Sequence, residues 1–240
     1  MQTRLLLIRK TKLWFVRLQL HRVFKPFAGA MDQLLHLTRL SEWVHANRKL
    51  PYNDFPHPRW DYGKRLEFYA HLNAHAIGEG PITYLEFGVA QGHSFKWWVA
   101  NQKASGSRFH GFDTFTGLPE DWGVFKAGAM STGSKLPDVT DDRATFHAGL
   151  FQDTLPGFLT TFQRSGKLLV QMDADLYTST LYVLTSIAPI LRKGDIIMFD
   201  EFFVPTHEFK AFREFTASYR INLRPIAAAN NYYFTAFVVE

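Results

Sequence analysis

Cysteine is absent from the 240 residues. That excludes a disulfide framework, a thiolate metal site and a thiol nucleophile, and it fits a reducing compartment. Long apolar runs are absent as well: nothing reaches the roughly 20 residues that a bilayer crossing needs. The basic N-terminus holds only the short run Leu5-Leu6-Leu7-Ile8, too brief for the core of a signal peptide. A cytoplasmic protein is expected. Acidic residues are scarce at the start of the chain. Residues 1–50 hold ten Lys or Arg against Asp32 and Glu42, so a net +8 sits there and about −3 is left for the rest of the +5 chain. A mildly acidic body does not suit a nucleic-acid groove.

With 46% hydrophobic residues, the length suffices for one α/β domain and an appendage. The appendage is residues 1–58. In it, Leu13, Val16, Leu20, Val23 and Phe27 recur at helical spacing, with Arg17, Arg22 and Lys25 off that row. Such a helix either lies on an anionic membrane surface through residues 1–27, at the inner face, or packs on the main domain or a second subunit. The packed arrangement is the simpler expectation. A second helix is predicted from Met31 to Arg48, and the proline-rich stretch 51–58 reads as an irregular linker.

From residue 59 the chain alternates. Strands are predicted at 82–87, 109–112, 144–148, 167–172 and 195–199, with helices at 64–77, 94–102, 154–163, 179–191 and 207–219. Two final runs, 221–228 and 232–238, flank Asn230-Asn231 and read as a hairpin. The result is a doubly wound α/β sheet, seven-stranded and mostly parallel, with an antiparallel strand at its C-terminal end. Residues 114–142, studded with glycine and proline, are too long for a plain connection and read as a lid or wall over a site.

The chemistry sits at the predicted carboxyl ends of the strands. Glu86-x-Gly88-x-x-x-Gly92-x-Ser94 is a strand breaking into a glycine loop that opens a helix, and Asp113 ends the next apolar run. This is the layout of a nucleoside-cofactor site. The spacing suits S-adenosylmethionine better than a dinucleotide, which needs a pyrophosphate cradle. Two further strand ends carry acids, Asp173 with Asp175, and Asp200 with Glu201. On neighbouring parallel strands, Asp173 and Asp200 lie close enough to share a Mg²⁺ ion. Alternatively one acid caps a helix and another pairs with a nearby Lys or Arg. His93, inside the glycine loop, caps, faces solvent or ligates. His147, on a strand, reads as a core histidine, and Trp122 and Tyr177 flank the mouth of the site or merely pack its loops.

The segments 84–92, 111–122, 149–156, 173–180 and 200–202 resemble the macrocin O-methyltransferase-like family of class I S-adenosylmethionine-dependent enzymes, and more distantly the catechol O-methyltransferases. The resemblance covers residues 64 to 220. It implies a Rossmann-like fold and methyl transfer to a sugar or polyol hydroxyl of a natural product or glycan, assisted by Mg²⁺. Glu86, Gly88, Gly92 and Ser94 would hold the methionine end of the cofactor, Asp113 the ribose, and Phe151 and Gln152 the adenine. Asp173, Asp200 and Glu201 would ligate the metal, although the family usually has Asp or Asn where Glu201 stands. The lysine that follows the first metal ligand in catechol O-methyltransferase is missing. Asp173, Asp175 and His207 remain as candidates for the base, with Asp173 first. The Asn-Pro-Pro-aromatic motif of nucleic-acid methyltransferases is also missing. The competing class is a non-catalytic or membrane-recruited Rossmann-fold component, and a homo-oligomer formed through the arm is a further expectation.

Overall fold

The computed structural model describes residues 2–240. Its centre is a seven-stranded sheet in the order β3-β2-β1-β4-β5-β7-β6. The strands are β1 (Ile82–Phe87), β2 (Arg108–Asp113), β3 (Ala144–Ala148), β4 (Lys167–Met172), β5 (Ile196–Phe199), β6 (Leu223–Ala229) and β7 (Phe234–Val239). β7 runs antiparallel to both neighbours, and the remaining pairings are parallel. The doubly wound expectation, with its antiparallel C-terminal strand, is borne out.

Why these segments become strands is plain from their burial. β1 is buried at every position and β4 at all but its first, as central parallel strands covered on both faces must be. On one face α4 (Lys64–Leu72) and α5 (His93–Asn101) press Phe68, Tyr69, Phe95 and Trp98 onto the sheet. The other face is covered by the end of α3 (Ala28–Ala46) together with α6 (Phe151–Thr161), α7 (Tyr177–Ile187) and α8 (Glu208–Tyr219), which bring Leu40, Leu155, Leu184 and Phe212. The chain builds outward from β1 to β3 and then crosses back to start β4. The switch point therefore lies between β1 and β4, where open α/β sheets bind ligands.

The arm departs from expectation. α1 (Gln2–Arg17) has no buried residue, so the predicted packing on the main domain is not found. The helix also ends early, because Gln19 takes φ 51° and turns the chain into the short α2 (His21–Phe24). The apolar row from Leu13 to Phe27 is thus broken: Leu13 and Val16 lie in α1, Val23 in α2 and Phe27 in the 3-10 turn 25–27 that follows. Gln19 is neither glycine nor asparagine, so nothing local announced the break. Among the described residues no helix is long and apolar enough to cross a membrane. The predicted linker at 51–58 is irregular yet pinned: Asp54 accepts the N–H groups of Asn230 and Asn231 at 3.0 Å each and pairs with Lys64. α6 starts three residues earlier than expected, which puts Phe151 and Gln152 in its first turn.

His147 stacks on Phe112 (4.4 Å, 11°) and lies 3.3 Å from Nδ1 of His110. Burial first, then His147 and Arg108, push His110 down to about 4. The folded form thus resists the proton that the unfolded chain accepts near pH 6.5, so this pair withdraws stability as pH falls from about 6.5 to about 4. Buried acids elsewhere act in the opposite sense, so the effect is read as a difference. The difference between thermal melts of wild type and His110→Gln should be constant above about pH 7 and shift against wild type between about pH 6.5 and about 4.

Candidate active site

At the switch point the β1 strand ends on Gly88, whose φ is +92°. A Cβ there would lie 1.7 Å from the carbonyl oxygen of Asp173, so the crossing of β1 and β4 admits only glycine. Gly92 (φ +74°) then turns the loop into α5, its Cα packed so closely on Pro137 from the lid that a Cβ would sit 2.7 Å away. Asp113, at the end of β2, fixes this loop. Its Oδ2 accepts from the N–H of Val89 and of Ala90 at 2.7 Å each, and Oδ1 from that of Phe115 at 2.7 Å.

Beneath the lid lies a cavity of about 570 Å³, inside the range for small-molecule and cofactor sites. Six of its lining residues are acidic, namely Asp113, Glu120, Asp173, Asp175, Asp200 and Glu201, against the single base Arg65. The lid closes over it through the Thr178 hydroxyl, which donates to Glu120 at 2.7 Å, and through an edge contact of Trp122 with His207 at 6.4 Å. So much acid out of water shifts protonation. Burial, then Asp173 and Asp113, push Asp175 up to about 8. Burial, then Asp175 and Asp173, push Glu201 up to about 9. Burial also raises Asp200 and lowers His207. Asp175 is further marked by its left-handed backbone (φ 57°), a conformation that concentrates at functional sites in residues other than glycine.

Of the residues expected from the sequence, Gly88, Asp113, Phe151, Gln152, Asp173, Asp175, Asp200 and Glu201 line this one cavity. Glu86, Gly92, Ser94 and His207 do not. Glu86 is buried below the loop, where it accepts from the Tyr84 hydroxyl at 2.6 Å and burial holds its carboxyl well above the usual range. Ser94 is engaged with the Tyr69 hydroxyl at 3.1 Å. His207 accepts the N–H of Tyr177 at its Nδ1 (3.3 Å). His93 is exposed and sits 3.2 Å from Gln91. Tyr177 turns away to Glu214 of α8.

Arg65 had no signal in the sequence, being one cation in a helical stretch 135 positions before its partner. From the first turn of α4 its Nη2 bonds Asp200, while Nη1 lies 4.0 Å from Asp173. The acidic pair is thus engaged by an arginine, one of the two arrangements expected for it. An all-oxygen donor set, and the buried Oε2 of Glu201 that lacks a partner, have the chemistry a hard cation wants. Oδ2 of Asp200 is held by the guanidinium, however, and no three acidic or histidine side chains converge among the described residues. The acids as arranged do not fit a Mg²⁺ ion.

For S-adenosylmethionine the fit is better. The cavity runs from the loop backbone at Gly88 and Ala90, past Asp113, to Leu150, Phe151 and Gln152.

Sheet order and site define a class I methyltransferase fold, and residues 85–202 match the family described as a methyltransferase domain. That match covers just under half of the chain and agrees with the resemblance. Over 65 residues it is 37% identical to the 8-demethyl-8-(2,3-dimethoxy-alpha-L-rhamnosyl)-tetracenomycin-C 4'-O-methyltransferase of Streptomyces olivaceus, an alignment covering 27% of this chain and 23% of that one. The chain therefore matches less than a quarter of that relative's length. Among solved structures, CalS11, a calicheamicin methyltransferase, superposes with TM-score 0.55 at 21% identity, covering 86% of this chain and 92% of the other. CmcI with magnesium and S-adenosylmethionine superposes with TM-score 0.50 at 19% identity, covering 84% of each.

Proposed function

We propose that the protein is an S-adenosylmethionine-dependent O-methyltransferase acting on a hydroxyl of a sugar- or polyol-containing natural product or glycan. The observation that carries this is Asp113, which ties down the glycine loop at the mouth of an acid-lined cavity at the switch point. The tetracenomycin relative, which acts on a rhamnosyl group, supports a glycosidic acceptor. When bound, the cofactor supplies an electrophilic methyl group on a sulfonium sulfur, and its transfer to a hydroxyl releases one proton. The chain's own part is to align donor and acceptor, to exclude water under the 114–142 lid, and to take that proton at a carboxylate. Magnesium, which the resemblance adds, forms no part of this proposal, because Arg65 holds the acids it would need. A non-catalytic role is disfavoured by the cluster itself. Six acids around one arginine cost stability, and a purely structural fold has no use for them.

Calorimetric titration of S-adenosylmethionine into the protein tests the reading. Binding is expected, and Asp113→Ala should weaken it by at least about tenfold, or about 1.4 kcal/mol, since the loop loses its anchor. Absence of binding by the wild type would refute the assignment.

In this reading residues 59–240 are the catalytic domain and residues 1–58 an accessory arm. Leu7 (67% exposed), Val16 (74%) and Val23 (61%) are open to solvent, and no acid precedes Asp32. Apolar side chains among cations suit an anionic bilayer surface. The full chain should pellet with phosphatidylglycerol vesicles, and replacing Arg9, Lys10, Lys12 and Arg17 by glutamine should release it. Equal pelleting of both forms would dismiss the membrane role. A molecular mass of a dimer in light scattering would show a second copy on the arm instead.

A further inference from the structure

The carboxyl edge between β4 and β5 already has its cation. Arg65 reaches it with both ends of its guanidinium fork, one nitrogen on Oδ2 of Asp200 and the other 4.0 Å from Oδ2 of Asp173. The second oxygen of Asp200 faces the amide of Gln171 at 3.4 Å, so both oxygens of this almost fully buried carboxylate have partners. The guanidinium is itself fixed, lying 5.4 Å above the ring of Phe234 in β7. Its side chain is only 27% exposed. An arginine in this position cannot shed its charge, and the two carboxylates hold it protonated. Glu201, the expected third ligand, directs nothing at the pair. Its N–H is spent on Glu208 at 2.9 Å and its Oε2 has no partner.

We infer that Arg65 is the resident cation of this edge: it holds Asp173 and Asp200 in place and excludes a divalent ion, so that cofactor binding by this chain is independent of Mg²⁺. The inference rests on the methyltransferase reading of the site, but its main readout does not. A divalent ion and a guanidinium compete for the same oxygens. The arginine is covalently delivered by α4, and its fork matches a carboxylate pair better than a point charge would. Arg65 is therefore a positioning residue, acting through the two aspartates.

The test is Mn²⁺, as an EPR-visible stand-in for Mg²⁺, titrated into the full chain. Wild type should leave the ion free at millimolar concentration. Arg65→Gln, which keeps a polar side chain but no charge, should bind it at least about tenfold more tightly, a gain of about 1.4 kcal/mol. Arg65→Gln combined with Asp200→Asn should lose the new site. Arg65→Lys guards against a misfolded glutamine variant, because it retains a charge there and should still exclude the ion. Wild type binding Mn²⁺ as tightly as Arg65→Gln would overturn the inference. So would failure of both to bind, since the arginine would then be excluding nothing.

A parallel titration of S-adenosylmethionine in EDTA and in Mg²⁺ separates the two claims. Equal affinity is expected. Affinity that needs Mg²⁺ in the wild type overturns the role of Arg65, whereas no affinity under either condition refutes the methyltransferase reading and leaves the Mn²⁺ result standing.

Discussion

Gly88→Ala is expected to abolish S-adenosylmethionine binding and to destabilise the protein by more than about 4 kcal/mol, the range reserved for backbone collisions and comparable core lesions. Two costs combine at this position. The φ of +92° is one that an alanine rarely adopts, and the added carbon would lie 1.7 Å from the backbone oxygen of Asp173, a contact no rotamer can relieve. Relief requires β1 and β4 to separate at the switch point, which displaces Asp173 and the loop that Asp113 holds. The control is Gly157 in α6, where nothing lies within 4 Å of a new Cβ and φ is not positive. Gly157→Ala should be neutral or stabilising by up to about 1 kcal/mol, from helix propensity alone. Chemical denaturation of both variants, with calorimetry of the cofactor, checks the pair. A Gly88→Ala protein that still binds the cofactor would contradict the close approach.

The contrast between these two glycines shows what the sequence carries. Alternation of apolar runs and helical periods is local, so the strands and the glycine loop could be read directly. The meeting of Asp173 and Asp200 could also be read, because parallel neighbours bring equivalent strand ends together. What closed the acidic edge was not local. Arg65 comes from the first turn of a helix that precedes the sheet, and a cation in an amphipathic stretch carries no mark of where its side chain ends. Glu208 is similar: it was one acid at a helix start, yet it is fully buried and takes the backbone N–H of Glu201. Likewise Glu86 and Ser94 match the motif in spacing but spend their polar atoms on Tyr84 and Tyr69. Tyr84 stands two positions before Glu86 on the same strand, whereas Tyr69 reaches Ser94 from another helix. The arm misled for the opposite reason. Its apolar row was real, but periodicity states that a face is apolar and not what covers it.

The second large effect concerns the base. Asp173 ranked first from sequence; burial raises its carboxyl, but Arg65, 4.0 Å away, opposes that rise. Asp175 makes no ion pair with Arg65, which only weakly opposes its rise, lines the same cavity and is pushed up to about 8 by burial and by Asp173 and Asp113. Its basicity is thus near the working pH, where proton transfer is most effective. Asp175→Asn is expected to lower kcat by about 10²–10⁴-fold while leaving cofactor affinity within a few-fold. Asparagine is the right replacement because it tolerates the left-handed backbone at this position. The lost activity would therefore report on the carboxylate and not on strain. The pH dependence has a definite sign. A base acts when deprotonated, so kcat/KM for the acceptor should rise with pH through about 8. With the cofactor bound, the sulfonium charge favours the carboxylate and should lower the inflection in kcat/KM and in kcat alike. The Asn variant should lose this limb. If it keeps the limb and most of its kcat, while Asp173→Asn loses both, the proton goes to Asp173 and the guanidinium beside it tunes the base directly.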